Sequence, residues 1–268
     1  MNMTPKPDPA IDTAIAALTQ GRDLRVWSLI VTLFGDMARA PGARLSGAQL
    51  SLITGRIGIR PEAMRVALHR LRKDGWIESK RVGRASHYAL TPFGRDQTQQ
   101  AAKRIYAGTV DTPDSWHIVL AEPMAQADRA ALEQQLVAKG YVTLTPTSYL
   151  GKGPAPAAPS LMAINGQIDH VPDWLKHTLM PDRLMQDCAH LEKRLKAALK
   201  PLARPEELTA LDAAALRILV VHAWRRVLLR QADLPDAFFP VASRGPACRQ
   251  MVQHILGALP QQAPEISG

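Results

Sequence analysis

Residues 45–91, LSGAQLSLITGRIGIRPEAMRVALHRLRKDGWIESKRVGRASHYALT, constrain the fold of this chain more tightly than any other segment. The pattern predicts a helix, a turn and a second helix, and the second helix begins at Pro61 and ends at Asp74-Gly75. Ser46 is placed to cap the first helix, which extends to about Thr54. Four apolar residues of the second helix follow the spacing of one buried stripe: Met64, Ala67, Leu68 and Leu71. The segment therefore predicts two short helices that pack on a common core.

Two short strands follow, at residues 76–77 and 87–90, and residues 82–86 form the turn between them. Basic residues occupy the faces of the second helix outside the apolar stripe, and they also occupy the tip of the hairpin. They are Arg60, Arg65, His69, Arg70, Arg72, Lys73, Arg81 and Arg84. A helix that fits the major groove, followed by a basic hairpin, predicts a winged helix-turn-helix that binds DNA. An ordinary solvated helix face followed by a solvated turn is the alternative interpretation.

The excess positive charge of the chain lies in this predicted domain. Residues 21–95 contain 14 Lys and Arg against 5 Asp and Glu, a net charge of +9. The whole chain contains 33 Lys and Arg against 24 Asp and Glu, also a net charge of +9, so the remainder is neutral. A confined surface of one sign is what binding to nucleic-acid phosphates requires.

Length and composition limit the remaining possibilities. A chain of 268 residues is longer than one small hydrophobic core usually organises, so two or three domains are expected. The hydrophobic content of 46% favours a folded protein. Cys188 and Cys248 form no CxxC pair, which fits a reducing compartment. No signal-peptide pattern opens the chain and no apolar run approaches ~20 residues, so we expect a cytoplasmic protein without a membrane partner.

We predict the α+β class and a multidomain chain. Residues 1–20 are rich in proline and predict a mobile N-terminal arm, and residues 21–107 form the winged-helix domain. Residues 108–171 have the pattern strand, helix, strand, loop, strand, at 116–121, 128–139, 141–145 and 160–164, which predicts a ferredoxin-like domain. Residues 172–268 predict an all-α C-terminal domain with a strongly apolar helix at 216–229.

Two parts of the chain resemble the PaaX family of bacterial repressors of phenylacetate catabolism. The N-terminal part comprises RVWSLIVTLFGDMARAPGARLSGAQL and MRVALHRLRKDGWIESKRVGRASHYALTPFGR, and the C-terminal part is VHAWRRVLLRQADLPDAFFP. The resemblance runs from about residue 22 to about residue 259. It implies a winged helix, a small dimerisation domain like that of the CRISPR adaptation protein Cas2, and a helical effector-sensing domain.

The resemblance also implies a homodimer on double-stranded operator DNA. An aryl acyl-CoA thioester would release it, and phenylacetyl-CoA is that effector in the best-known members of the family. Where relatives carry Trp-x-Gly after the Leu-Pro turn, this chain has Ser243-Arg244-Gly245. The resemblance therefore leaves the acyl group of the effector open.

Candidate effector-binding residues are polar or aromatic side chains of the helical segment: Arg183, His222, Trp224, Arg225 and Arg226. Arginine suits the phosphates of a CoA group, and an aromatic ring suits an aryl group. The alternative interpretation is that these side chains lie at an interface or reach past apolar surface to solvent.

The sequence gives little support to an enzyme. The eight histidines form no HExxH, there is no Gly-x-Ser-x-Gly, and Gly151-Lys152-Gly153 lacks the rest of a phosphate-binding loop. We expect no catalytic residue, no metal and no cofactor. Two alternatives stay open: a Cas2-like metal-dependent nuclease with Glu122 as its carboxylate, and an architectural or constitutive DNA-binding regulator without an effector.

Overall fold

The computed structural model describes residues 9–20, 24–155 and 160–265, and its mixture of helices and two antiparallel sheets confirms the α+β class. In chain order the first elements are α1 Pro9–Thr19, α2 Val26–Met37, β1 Leu45–Ser46, α3 Gly47–Arg56, α4 Pro61–Lys73, β2 Ile77–Val82, β3 Ala85–Leu90 and α5 Pro92–Ile105. They are followed by β4 Trp116–Leu120, α6 Gln126–Ala138, β5 Val142–Thr145, β6 Ser148–Lys152, β7 Met162–Gly166 and α7 Asp173–Leu179. The last helices are α8 Asp182–Leu199, α9 Ala210–Leu228 and α10 Gly245–Ala258, with short 3-10 turns between them.

The chain forms two compact units, which differs from the predicted division into three domains. Unit 1 comprises Met1–Gly108, Gln186–Leu229 and Arg244–Gly268, and unit 2 comprises Thr109–Met185 and Arg230–Ser243. Helix α9 accounts for the difference, because it is largely apolar and buries nearly its whole length. It packs against α1, α2, α3, α5 and α10, so the C-terminal helices share one core with the N-terminal helices.

The N-terminal arm predicted for residues 1–20 is wrong for its described part. Residues 9–19 form α1, which buries four apolar side chains, Ile11, Ala14, Ile15 and Leu18, against α9 and the 3-10 turn that follows α8. These four residues have the spacing of one helical face, and the proline-rich composition of the segment obscured it. Residues 1–8 lie outside the described part of the chain.

The small sheet of unit 1 has the order β1-β3-β2. Strands β2 and β3 pair from Ile77↔Leu90 to Val82↔Ala85, so the hairpin is longer than the sequence predicted and its loop shrinks to Gly83 and Arg84. The sequence analysis missed β1, whose two residues pair with Tyr88 and His87. Helix α5 begins directly after β3 and packs on α9, which joins the hairpin to the core.

Unit 2 contains a four-stranded sheet of order β5-β6-β4-β7, and each neighbouring pair is antiparallel. The three predicted strands and the helix between the first two are present. The fourth strand, β6, was missed because its Tyr149-Leu150-Gly151 stretch adjoins the Gly/Pro/Ala-rich loop. A buried cluster of Val119, Leu136, Tyr141 and Tyr149 fills the space between the sheet and α6.

Residues 230–243 were predicted to belong to the C-terminal helical domain, but they pack in unit 2. The ring of Phe238 lies 5.1 Å from that of Trp116 in β4, and Asp233 pairs with Lys152 in β6 at 3.1 Å. Among the helices of the described residues, none is both long and apolar enough to cross a membrane.

Candidate nucleic-acid interface and ligand cavity

The ends of helices α3 and α4 are set by residues close to them in the sequence. Ser46 caps α3 as predicted: its side chain accepts from the amide of Gln49 at 3.1 Å, and the Gln49 side chain accepts from the amide of Ser46 at 2.9 Å. Pro61 opens α4, and Gly75 at φ +73° follows its end. The predicted stripe of Met64, Ala67, Leu68 and Leu71 is buried, which confirms the predicted core face of α4.

The predicted basic residues lie on the solvent-exposed sides of α4 and of the hairpin that follows it. All eight are exposed: Arg60, Arg65, His69, Arg70, Arg72, Lys73, Arg81 and Arg84. Arg65, His69 and Arg72 are three to four residues apart and share one side of α4. Three of the eight, His69, Arg72 and Lys73, line a shallow groove against Ile77, Glu78 and Ser79 at the start of the hairpin.

Acidic partners of the helix are few and at its ends. Arg65 is 4.0 Å from Glu62, and both side chains are about 70% exposed, so this pair is weak. Arg70 lies 3.5 Å from Asp74, and its guanidinium is 5.9 Å from the centre of the Trp27 ring. Arg70 therefore has contacts within the protein that hold it at the side of α4.

The hairpin is a narrow ribbon with both faces exposed over its outer half. In β2 only Ile77 is buried, and the residues from Glu78 to Val82 are all exposed. Gly83 adopts φ +59° at the tip, a conformation that suits glycine, and it turns the chain so that Arg84 follows at the end of the ribbon. Arg81 pairs across the ribbon with Ser86. The ribbon thus carries Arg81 and Arg84 away from the core.

Aromatic contacts hold the base of the ribbon. The Trp76 ring meets Trp27 of α2 and Phe93 of α5 edge-on, at centroid distances of 5.8 and 5.5 Å. Gly94 approaches the carbonyl oxygen of Trp76 so closely that a Cβ at this position would clash with it. The base of the ribbon is therefore rigidly placed relative to α2 and α5.

Among the candidate effector residues, Trp224 is wrongly assigned. Its side chain is fully buried, its Nε1 donates to the carbonyl oxygen of Ile105 at 3.1 Å, and the Arg249 guanidinium lies 5.5 Å from its ring centre. The ring fills the core between α9 and α5, because a large aromatic side chain in a mostly buried helix packs into the core.

His222 and Arg225 face α2. The Nδ1 atom of His222 is 3.1 Å from the hydroxyl oxygen of Thr32, and Arg225 donates to the same hydroxyl at 3.3 Å. Burial, together with the neighbouring charges of Arg226 and Arg225, lowers the pKa of His222 to about 3. Burial also lowers the pKa of Arg225. His222 is therefore a neutral imidazole at physiological pH.

A cavity of about 590 Å³ lies between α1, α8 and α9, and we call it the α1–α8–α9 cavity. His222 and Arg226 are the two candidate effector residues that line it, whereas Arg225 and Trp224 do not. Among the residues that the structure describes, its other polar lining residues are Thr19, Gln20, Asp187, His190, Lys193 and Arg194. Arg183 is exposed on the first turn of α8, which belongs to unit 2, and it is not among the lining residues.

A buried ion pair joins the C-terminal helices to α2. Arg217 of α9 donates from Nε and Nη2 to the two carboxylate oxygens of Asp36 at 2.7 and 3.0 Å, and from Nη1 to the carbonyl oxygens of Leu256 and Leu259. Tyr106 donates to Asp36 at 2.6 Å, and burial together with Asp36 raises the pKa of its hydroxyl. The network has no counterpart in the sequence predictions, because its members come from four distant parts of the chain.

Sequence comparison identifies the family. The chain matches the model of the PaaX-like protein over residues 25–94 and that of the PaaX-like protein C-terminal domain over residues 181–267. The chain belongs to the PaaX-like family. Transcriptional repressor PaaX of Escherichia coli strain K12 is 27% identical to it over 270 residues, which cover 91% of this chain and 84% of the relative.

Among solved structures, the uncharacterized protein Rv0674 from Mycobacterium tuberculosis aligns with a TM-score of 0.47 at 17% identity. The alignment covers 85% of this chain and 92% of that chain. Likeness at this level does not establish a common fold.

Several exposed residues beside the predicted site were missed by sequence reasoning. Lys80 is exposed on the ribbon between Ser79 and Arg81, and Arg44 is exposed just before β1. Val66 is 69% exposed on α4, between the basic residues. The sequence signal for Val66 was an apolar residue that lies outside the buried stripe of an amphipathic helix.

The structure also bears on the nuclease alternative. Glu122, its carboxylate, is exposed beyond the end of β4, and no cluster of three metal-ligating side chains occurs in the described ranges.

Proposed function

We propose that this chain is a transcriptional repressor that binds double-stranded operator DNA. In this proposal α3, α4 and the β2–β3 ribbon form a winged helix-turn-helix, with α4 in the major groove. One observation carries the proposal: eight basic residues lie exposed on or at the ends of these elements, within the segment of residues 21–95 that holds the whole net charge of +9. The Escherichia coli relative, Transcriptional repressor PaaX, supports the same role and agrees with the prediction that the chain is not an enzyme.

The exposed residues of α4 divide into two roles. Arg65, His69 and Arg72 share the side of the helix from which side chains reach base edges. Arg60 and Lys73, at the two ends of α4, are placed for backbone phosphates, which position the helix without specifying sequence. Val66 adds an apolar contact of the kind that thymine methyl groups favour.

The ribbon supplies a second contact with DNA. Its outer half is exposed on both faces and ends in Arg84, which suits entry into a narrow minor groove or contact with the phosphates at its edge. Arg81 and Lys80 extend the positive charge along the same strand. We expect these residues to add affinity rather than base specificity.

We further propose that the repressor is a homodimer and that unit 2, a ferredoxin-like and Cas2-like module, forms the contact. The strand order β5-β6-β4-β7 is that of a split β-α-β arrangement, which supports this fold. Strand β7 is an edge strand exposed along its whole length, with Met162 62% and Ile164 49% exposed. Exposed apolar residues on an edge strand suit burial against a second copy.

The proposed effector is an aryl or related acyl-CoA thioester, as the family resemblance implies. Because Ser243 stands where relatives carry Trp, the acyl group is not assumed to be phenylacetyl. Release from DNA requires that the effector bind the DNA-free conformation more tightly, and a coupling of ~1–3 kcal/mol is typical. A constitutive regulator without an effector is the second candidate, and it predicts an operator affinity that no thioester changes.

The test is a gel-shift titration of the purified chain with promoter DNA from beside its own gene. We expect a retarded complex that persists in the presence of unrelated competitor DNA and is lost as salt rises. The Arg65→Ala protein should lose discrimination between the promoter and competitor, whereas Arg183→Ala, at an exposed arginine of unit 2, should retain it. Equal affinity of the wild-type protein for promoter and competitor would contradict the proposal.

A further inference from the structure

Residues 260–265 follow helix α10 and lie along unit 1, and we call them the α10 tail. The tail forms neither helix nor strand, so hydrogen bonds from side chains hold it. Just before its start, Arg217 of α9 donates to the carbonyl oxygen of Leu259 at 2.8 Å. The side chain of Gln261 then donates to the carbonyl oxygen of Asp36 at 2.8 Å. The tail therefore extends from the end of α10 past the last turn of α2.

The tail next reaches helix α3, the first helix of the proposed helix-turn-helix. Pro264 is buried there, and its carbonyl oxygen accepts a hydrogen bond from Nε2 of Gln49 at 3.2 Å. The Oε1 atom of the same side chain accepts from the amide of Ser46 at 2.9 Å, as the capping box of α3 requires. One glutamine side chain thus joins the cap of α3 to a segment 215 residues further along the chain.

The chemistry of the two partners allows one orientation of the Gln49 amide. The backbone amide of Ser46 only donates, and Pro264 only accepts because proline has no N–H. The oxygen of Gln49 must therefore face Ser46, and its nitrogen must face Pro264. Glutamate is the other residue that capping boxes use at this position, but its carboxylate has no donor for Pro264. Of the two, only glutamine both caps α3 and holds the tail.

Distant segments of the chain hold both ends of α3. Arg56, its last residue, pairs with Asp12 of α1 at 2.7 Å and with Asp212 of α9. In its first turn, Gln49 holds the α10 tail. A helix of ten residues is too short to be stable alone, so such tertiary contacts decide its position. Loss of the tail contact therefore frees the first turn of α3 while its last turn stays fixed.

Met64 connects the position of α3 to that of α4. The Met64 sulfur accepts from the hydroxyl of Thr54 at 3.4 Å and from that of Ser51 at 3.9 Å, and both residues lie on α3. Met64 belongs to the buried stripe of α4, the helix that carries Arg65. A change in the position of α3 therefore changes the position of α4.

We propose that the α10 tail is a positioning element for operator recognition and that Gln49 is the positioning residue through which it acts. The tail holds the start of α3, and α3 holds α4 in the orientation that base contacts need. This role rests on the proposed function, whereas the contact between the tail and α3 does not. Loss of the contact impairs discrimination between operator and other DNA, because the exposed basic residues still attract any phosphate backbone.

The test compares the full-length Gln49→Glu protein with a protein that lacks residues 261–268. Gln49→Glu keeps the cap of α3 and removes the donor to Pro264, whereas the deletion removes the tail and keeps the Leu259 carbonyl group that Arg217 holds. We expect each change to lower the ratio of operator to competitor affinity about fivefold, which corresponds to one hydrogen bond. Gln99→Glu is the matched control: it adds the same charge at an exposed side chain of α5 and should leave the ratio unchanged.

A double-mutant cycle separates action through the tail from a direct effect of the new charge. In the protein without residues 261–268, Gln49→Glu should lower the affinity ratio by less than about twofold more, because the partner of Nε2 is already absent. A full second loss in that protein would show that residue 49 acts without the tail, and it would overturn the proposal. Equal losses of affinity for operator and competitor would also overturn it, because partial unfolding weakens both alike.

Hydrogen exchange without DNA tests the contact itself. The amides of Ser46 and Gln49 are the donors of the capping box. We expect them to exchange at least about threefold faster when residues 261–268 are removed, and the amides of Leu68 and Leu71 in α4 to exchange as in the wild type. Unchanged exchange at Ser46 and Gln49 would show that the tail does not hold α3, and the proposal would fail.

The two kinds of measurement distinguish this proposal from the proposed function. If the wild-type protein prefers its operator and both variants keep that preference, the DNA-binding proposal stands and the positioning role is wrong. If the wild-type protein does not prefer its operator, the proposed function is wrong and the positioning role fails with it. In that case the exchange rates still show whether the tail holds α3.

Discussion

Helices α4 and α9 both carry arginines beside apolar residues, yet the structure uses these arginines in opposite ways. On α4 the arginines follow the side of the helix that the buried stripe leaves, and all are exposed. On α9 most of the helix is buried, so Arg217 and Arg225 form hydrogen bonds inside the protein, whereas Arg226 lines the α1–α8–α9 cavity. The difference shows that an arginine in a helical segment indicates a ligand surface only where the helix has a free side.

The largest expected effect is on stability, at the buried arginine of α9. Arg217→Leu leaves the carboxylate of Asp36 buried without its ion-pair partner, so we expect the free energy of unfolding to fall by about 3–5 kcal/mol. Arg72→Leu on α4 changes an exposed side chain and should alter stability by less than about 0.5 kcal/mol. Urea unfolding followed by circular dichroism measures both. Equal losses would remove the contrast between the two helices.

The next effect is a pH dependence of stability that arises at His222. The folded-state pKa is lowered from 6.5 to about 3, so below pH ~6.5 the unfolded chain binds a proton that the folded chain does not. Stability should therefore fall as the pH decreases from ~6.5 towards ~3, by up to ~1.4 kcal/mol per pH unit from this residue. His222→Gln should make that decrease shallower, and His69→Gln on the exposed side of α4 should not. Identical slopes for the wild type and His222→Gln would contradict the buried neutral histidine.

A smaller effect concerns base recognition. Arg65→Ala should cost ~1–3 kcal/mol of operator affinity and relax specificity at one or two base positions, because a bidentate contact is lost. Arg84→Ala on the ribbon should lower affinity for operator and competitor alike. Binding-site selection on the two variant proteins separates these outcomes. If Arg65→Ala returned the wild-type motif at full information, α4 would not be the reading helix.

The smallest effect concerns Val66, the exposed apolar residue of α4. Val66→Ser removes methyl groups from the centre of the basic side while leaving the charge unchanged. We expect a loss of less than about 1 kcal/mol, confined to operators with thymine at one position. A competition experiment with single-base operator variants measures it, and a uniform loss over all variants would indicate disturbed folding instead.

The contrast between α4 and α9 also explains what the sequence could predict. The core face of α4, its ends at Pro61 and Gly75 and the cap at Ser46 all depend on neighbours within a few residues, so local patterns sufficed. Helix α1 was missed because its core partner, α9, lies almost two hundred residues further along the chain. The charged residues of α9 were assigned by composition, and only packing decides which of them line a cavity.

The cavity itself was beyond sequence reasoning for the same reason. Its described lining comes from α1 and residues near its end, from α8 and from α9, which no local pattern connects. The pairing of β6 with β4 likewise depends on a distant partner, because Gly151 lies opposite His117 and its lack of a side chain makes room for the ring. In both cases the deciding contacts are long-range.

The central claim is that α4 and the ribbon, and no other basic part of the chain, form the surface that binds the phosphates of DNA. The most direct measurement is the salt dependence of operator affinity for the wild type, for Lys73→Ala on α4 and for Lys196→Ala on α8. We predict that Lys73→Ala lowers the slope of log K against log salt concentration by about one and weakens all DNA sequences alike. Lys196→Ala should leave both slope and affinity unchanged. A slope unchanged in Lys73→Ala, or lowered equally in both variants, would contradict the claim.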